Sequence, residues 1–155
     1  MLQAGETALY SEFAFEGAVI AQNIVDGAQT GVSVTNFNEG GRLAVVQGNI
    51  LRNLKPKDLN PPPEDLWGIG VYVEADTTVS ANVVENARDA GIAVGGAPGV
   101  DRHRRGSALI SANVVTGFRR GAVVGMDHAR PITGELAKDG AQPHAHLSIT
   151  GNRIG

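Results

Sequence analysis

The chain has 155 residues, with 13 Lys and Arg against 16 Asp and Glu, and no cysteine. A formal charge of −3 argues against a nucleic-acid binder or a polybasic membrane-surface protein, and the missing thiols exclude disulfides and thiolate metal sites. Glycine, at 21 residues, is about twice its usual share, while aromatics are only 5%, so a chain rich in Val and Ile reads as all-β with many turns.

Residues 1–155 are expected to form a single domain, and no apolar run is long enough to span a bilayer. The opening MLQAGETALYSEF has neither a basic n-region nor a continuous apolar stretch, so it does not read as a signal peptide. From there one phrase recurs: AVIAQNIV ending at Val25, AVVQGNIL at Leu51, TTVSANVV at Val84, ALISANVV at Val115 and LSITGNRI at Ile154. Ile20, Val46, Val79, Ile110 and Ile149 stand three places before the asparagine, and Val25, Leu51, Val84, Val115 and Ile154 two places after it. A second phrase follows the first four: GVSV from Gly31, GVYV from Gly70, GIAV from Gly91 and GAVV from Gly121, with aliphatics facing inward at its second and fourth places except Ala122.

The shortest unit, Gly70 to Gly91, is too short to bury a core by itself and must stack on its neighbours. Short strands, turns and this period predict a single-stranded parallel β-helix, a solenoid of about five to six coils. Its rungs lie about 4.8 Å apart and its aliphatics form ladders. The five asparagines are expected at a corner between strands, where asparagine tolerates positive φ and its amide can bond the equivalent amide one coil away.

Unequal spacing locates loop insertions at 52–67, 97–107 and 127–146. The first contains Pro61–Pro63, which cannot pair in a ladder, and closes on Trp67, the one tryptophan. GELAKDGA, 134–141, has room for one turn of helix at most. The second unit has only EADT at the corner where its neighbours carry long loops, which predicts a notch with Glu74 and Asp76 at its floor and the arginines of DRHRR on one wall.

Glu74 and Asp76 could work as an acid/base pair or hold a hard cation such as Ca²⁺, although no calcium motif is present. Arg102, Arg104 and Arg105 suit a carboxylate or phosphate, and Trp67 could stack on a sugar or simply pack the arm onto the solenoid. Asp127 and His128 form a second acid/base candidate, with Arg130 or Arg120 neutralising a substrate carboxylate. Adjacent residues on a strand point to opposite faces, which counts against that couple. His144 and His146 share a face if extended, but no third metal ligand accompanies them, so no metal or other cofactor is expected.

The stretches GRLAVVQGNILRNL, GIGVYVEADTTVSANVVENA, RRGAVVGMDHARPITGELAKDG and HLSITGNRIG resemble a bacterial family of twin-arginine-translocated repeat proteins. That family falls within the right-handed parallel β-helix, pectate-lyase-like superfamily. The resemblance implies a right-handed coil, a periplasmic or secreted location, and a chain corresponding to the C-terminal portion of a longer solenoid, without its twin-arginine leader. It carries over no catalytic residue. The expected function is a polysaccharide-binding or structural module, with an acidic polysaccharide as partner; the alternative is a lyase or epimerase acting on uronate sugars. Open strand edges at Phe13–Ile20 and Leu147–Ile154 further predict self-association.

Overall fold

The repeated phrases fold into strands that pile up rung on rung. A computed structural model describes residues 1–2, 5–12, 16–35, 43–57, 60, 64–74, 76–95, 108–127, 130–138 and 147–155, with the backbone alone for Asp127. In chain order, β1 (Thr7–Ser11) precedes the first coil of β2 (Val19–Ala21), β3 (Ile24–Asp26) and β4 (Thr30–Val34). The second coil is β5 (Ala44–Gln47), β6 (Ile50–Leu54) and β7 (Ile69–Val73); the third is β8 (Thr77–Ser80), β9 (Val83–Ala87) and β10 (Ala90–Gly95). The fourth is β11 (Ala108–Ser111), β12 (Val114–Thr116) and β13 (Gly121–Asp127), followed by β14 (Arg130–Glu135) and a last partial coil, β15 (Leu147–Thr150) and β16 (Arg153–Ile154). Among the described residues there is no helix, so none crosses a membrane.

Three sheets run the length of the stack, in the orders β1-β4-β7-β10-β13-β14, β15-β11-β8-β5-β2 and β16-β12-β9-β6-β3. Every pairing is parallel except β13 with β14. The protein is therefore a parallel β-helix with three strands per coil. Ile20, Val46, Val79, Ile110 and Ile149 form one ladder in the second sheet, and Val25, Leu51, Val84, Val115 and Ile154 another in the third. Their central members are fully buried, each worth about 1.5–3 kcal/mol of burial. In the first sheet the matching ladder is Val32, Val71, Ile92 and Val123.

That last ladder corrects the alignment of GAVV. Gly121 pairs with Ala90, not Gly91, so Val123 faces Ile92 and the small Ala122 takes the place of the strand glycines. A one-residue slip exchanges inner and outer faces, and the core enforces the correct register. The glycine position is tight: a Cβ on Gly70 would lie 2.3 Å from Gly91 O and 2.6 Å from Val84 Cγ1. The strands also begin one residue before these glycines, at Thr30, Ile69 and Ala90.

The asparagines form a single file. Asn49 Oδ1 accepts from the backbone N–H and the side-chain amide of Asn23, Asn82 Oδ1 from those of Asn49, Asn113 Oδ1 from those of Asn82, and Asn152 Oδ1 from those of Asn113, all at 2.9–3.0 Å. Each amide from Asn49 onward also donates to a carbonyl of the preceding coil: Ile20, Val46, Val79 and Ile110. The expected positive φ, however, belongs to the residue before: Gln22, Gly48, Ala81, Ala112 and Gly151. That residue forms the solvent-exposed apex of the turn, and its left-handed backbone aims the following asparagine inward. A second left-handed column, Gly27, Asn53, Asn86 and Gly117, turns the third sheet toward the first.

Two insertions are shorter than expected. Strand β6 continues through Arg52 and Asn53 to Leu54, where it pairs with Ala87, so the first insertion leaves the coil only after Leu54. In the second case, Asp127 ends β13, and 130–135 return as β14 instead of forming loop or helix. There Glu135 Oε1 accepts from the backbone N–H of Val123 and Ala137, Glu135 Oε2 from that of Ala122, and Thr133 Oγ1 from that of Gly125. These side-chain oxygens stand where the carbonyls of another parallel rung would be. The first sheet is thus sealed at this end by an antiparallel strand.

Candidate functional site

The outer face of the first sheet carries two rows of side chains in register. One row is Tyr10, Ser33, Tyr72, Ala93 and Val124. In the next outward row, Thr35 N bonds Ser11 O and Glu74 N bonds Val34 O, which sets Thr35 and Glu74 on adjacent rungs beside Gly95 and Met126.

The upper part of this face is apolar and covered. Leu66 and Ile69 pack with Ala90, Ala93, Val124 and Met126, and Tyr72 borders the cluster. Leu66 belongs to the arm that follows β6, and two contacts hold that arm down. Trp67 N donates to Asp89 Oδ2 at 2.8 Å, and Asp65 lies 3.9 Å from Arg130 of β14. Asp89 is fully buried, and Arg119 Nη2 lies 2.8 Å from its other oxygen. A buried carboxylate demands such partners, so this pair fixes the arm's root.

The lower part is polar. Tyr72 Oη donates to Glu74 Oε1, and Thr35 Oγ1 donates to Tyr10 Oη at 3.3 Å. Ser33, Thr35 and Glu74 are buried, whereas the Tyr10 ring is 53% exposed. A Cβ on Gly95 would lie 2.3 Å from Tyr72 Oη and 2.7 Å from Glu74 Cγ, so the phenol and the Glu74 methylene pack against that glycine. Burial raises the Tyr10 pKa above 10.0; the Thr35 hydrogen bond opposes the shift, and Glu12 and Glu74 add to it.

On the other side of the loop corner, an open groove of about 540 Å³ crosses the second sheet. Leu43, Val45, Leu109 and Leu147 give it apolar walls, with Asp76, Thr78 and Ser148 as polar points.

Glu74 and Asp76 therefore do not share one floor: Glu74 lies on the first sheet against Tyr72, and Asp76 lines the groove. Glu74 follows β7 of the first sheet and Asp76 precedes β8 of the second, so strand alternation does not relate them. Trp67 is half-buried at the root of the arm, held there through its backbone N–H, and its Nε1 has no hydrogen-bond partner. Arg120 is exposed in the bend before β13, its N–H bonded to Asp89 O, and Arg130 is directed to Asp65. Arg102, Arg104, Arg105, His128, His144 and His146, and the side chain of Asp127, lie outside the described residues, as does the whole 97–107 insertion. No group of three metal-ligating side chains occurs among the described residues.

Tyr10, Ser33, Thr35 and Tyr72 were not singled out from the sequence. The alternation in GVYV already turned Tyr72 outward, and the chain has only two tyrosines. Tyr10 escaped notice because β1 precedes the first repeated phrase, which left its register unassigned.

Comparison of the chain with family models, with curated proteins and with solved structures found no match.

Proposed function

We propose that this β-helix is a polysaccharide-binding module whose ligand lies along the polar part of the first sheet's outer face. The observation that carries this reading is the row of Tyr10, Ser33 and Tyr72. Two tyrosines project from one row two rungs apart, about 9.6 Å by rung spacing, with only a serine between them. That spacing is on the scale of two sugar rings. Aromatic faces offer stacking platforms, and the exposed Tyr10 offers its phenol to a sugar hydroxyl, while buried Thr35 and Glu74 hold the two phenols in place on a rigid scaffold. The resemblance to exported repeat proteins supports a periplasmic or secreted setting, where acidic polysaccharide is among the ligands to try.

Titration calorimetry against neutral and acidic polysaccharides tests this reading. Binding that weakens at least about tenfold in Tyr10→Ala and Tyr72→Ala is expected. Unchanged binding in both variants, or no binding to any member of the panel, overturns it.

One observation favours a second reading, a lyase or epimerase acting on uronates. The Tyr72–Glu74 contact is a phenol–carboxylate couple of the kind used in proton transfer. Unsaturated product that appears with wild type and vanishes in Glu74→Gln would establish it; absence of product across the panel would reject it.

A further inference from the structure

The strand-turn-strand segments of the second and third sheets are almost devoid of charge. Residues 18–25, 44–51, 77–84 and 108–115 contain no ionisable side chain, and 147–154 contain only Arg153, in a chain that is 19% charged. Inward positions account for half of this. The outward half needs another explanation, because a solvated β-helix face would ordinarily carry Lys, Glu or Asp.

Those outward positions on the third sheet are aliphatic and in register: Ile24, Ile50, Val83 and Val114, ending at Arg153. Ile24, Ile50 and Val83 are 42%, 40% and 39% exposed. The adjoining corner is smooth, its apex built of Gln22, Gly48, Ala81, Ala112 and Gly151. A row of β-branched side chains on consecutive parallel rungs, flanked by small residues, is a surface that another flat sheet can approach closely.

We propose that this face is a homodimer interface, formed by two copies of the chain lying side by side and antiparallel. Five rungs and six residues across give roughly 20 by 24 Å, so two copies would bury roughly 1,000 Å², the lower limit for a specific and reversible contact. Charge favours the self-pairing. An isologous interface sets each residue against its own copy near the axis, where Val83 meets no like-charge penalty; the next outward row of the sheet, Asp26, Arg52 and Glu85, lies off the axis. The antiparallel arrangement sets Val83 of each copy on the axis, Ile50 against Val114, and Arg153 over the first rung. The Arg153 stem then covers Ile24, and its guanidinium is directed toward the acidic end of β3. A parallel arrangement would instead place the two Arg153 side by side.

Sedimentation velocity on the full chain, from a few micromolar to about 0.2 mM, tests the proposal. The wild type is expected to dimerise in the micromolar range. Val83→Lys, which faces solvent in the free chain and brings two ammonium groups together on the axis, should weaken the dimer more than about tenfold. Ile50→Lys should do the same, with the far-ultraviolet spectrum and melting temperature of each variant confirming a folded chain. A wild type that stays monomeric throughout overturns the proposal. So does association that persists in both lysine variants, which would point to the sheet ends instead.

Discussion

Asn82 takes two hydrogen bonds from Asn49 through one oxygen: the Asn49 backbone N–H at 3.0 Å and its side-chain amide at 2.9 Å. Both residues are fully buried. Asn82 passes the same pattern on to Asn113 while its own amide bonds Val46 O. One side chain therefore bonds polar groups on both neighbouring coils.

Removing it should be costly. Asn82→Ala removes the acceptor of the Asn49 N–H and the donor to Val46 O on the preceding rung, at about 1–3 kcal/mol each, and takes one of two donors from Asn113 Oδ1 on the following rung, so a loss of about 3 kcal/mol or more is expected. Asn23→Ala, at the less buried end of the file, should cost about 1 kcal/mol. Urea unfolding of both variants checks the contrast; equal losses would contradict it.

The apex residue before each asparagine supports a prediction of the opposite sign. Ala81 and Ala112 hold φ of 52° and 54°, where Gly48 and Gly151 sit in other coils. A left-handed alanine costs about 1–2 kcal/mol, which the greater backbone entropy of glycine in the unfolded chain partly offsets. Ala81→Gly should therefore stabilise by about 0.5–1 kcal/mol. Gly48→Ala should destabilise by a similar amount, since a Cβ there meets nothing within 4 Å and only the φ is at issue.

These two columns show how far the sequence could be read. The asparagine spacing and the aliphatics around it were enough to identify the β-helix and two of its three ladders. They did not reveal which residue turns left-handed, because Gln, Gly and Ala share no composition signal at that place. The second corner was equally hidden: Gly27, Asn53, Asn86 and Gly117 look like unrelated residues until pairing aligns them. The candidate site was less legible still. Tyr10 joins it from a strand outside the repeat, and Glu74 parts from Asp76 because they flank strands of different sheets, which alternation cannot anticipate.

Glu135 supports a prediction about the sealed end. Its carboxylate accepts from the backbone N–H of Ala122, Val123 and Ala137. Glu135→Ala should cost about 2–4 kcal/mol and accelerate amide exchange at Ala122 and Val123. Thr133→Val removes the acceptor for Gly125 N and an exposed hydrogen bond to Gly134 O, and should cost about 1 kcal/mol. Exchange unchanged at Ala122 and Val123 in Glu135→Ala would show that β14 does not seal the sheet.

The Tyr10 phenol supplies a pH signature. Burial first, with Glu12 and Glu74 adding to it, raises its pKa above 10.0. The folded state thus favours the neutral phenol: its contribution is intact below pH 10 and is lost as pH rises through the folded-state value. Tyr10→Phe should remove that share of the alkaline destabilisation. In an ultraviolet titration Glu74→Gln should move the Tyr10 transition to lower pH, because one nearby negative charge is gone; no movement would uncouple the two residues.

The file of asparagine amides has one more property. Every link donates in the same sense, from Asn23 toward Asn152, so the local dipoles add and each bond polarises the next. The molecule consequently behaves like a column of magnets stacked head to tail. A break in the middle weakens the pieces on both sides, whereas a loss from the top or bottom is felt by a single neighbour.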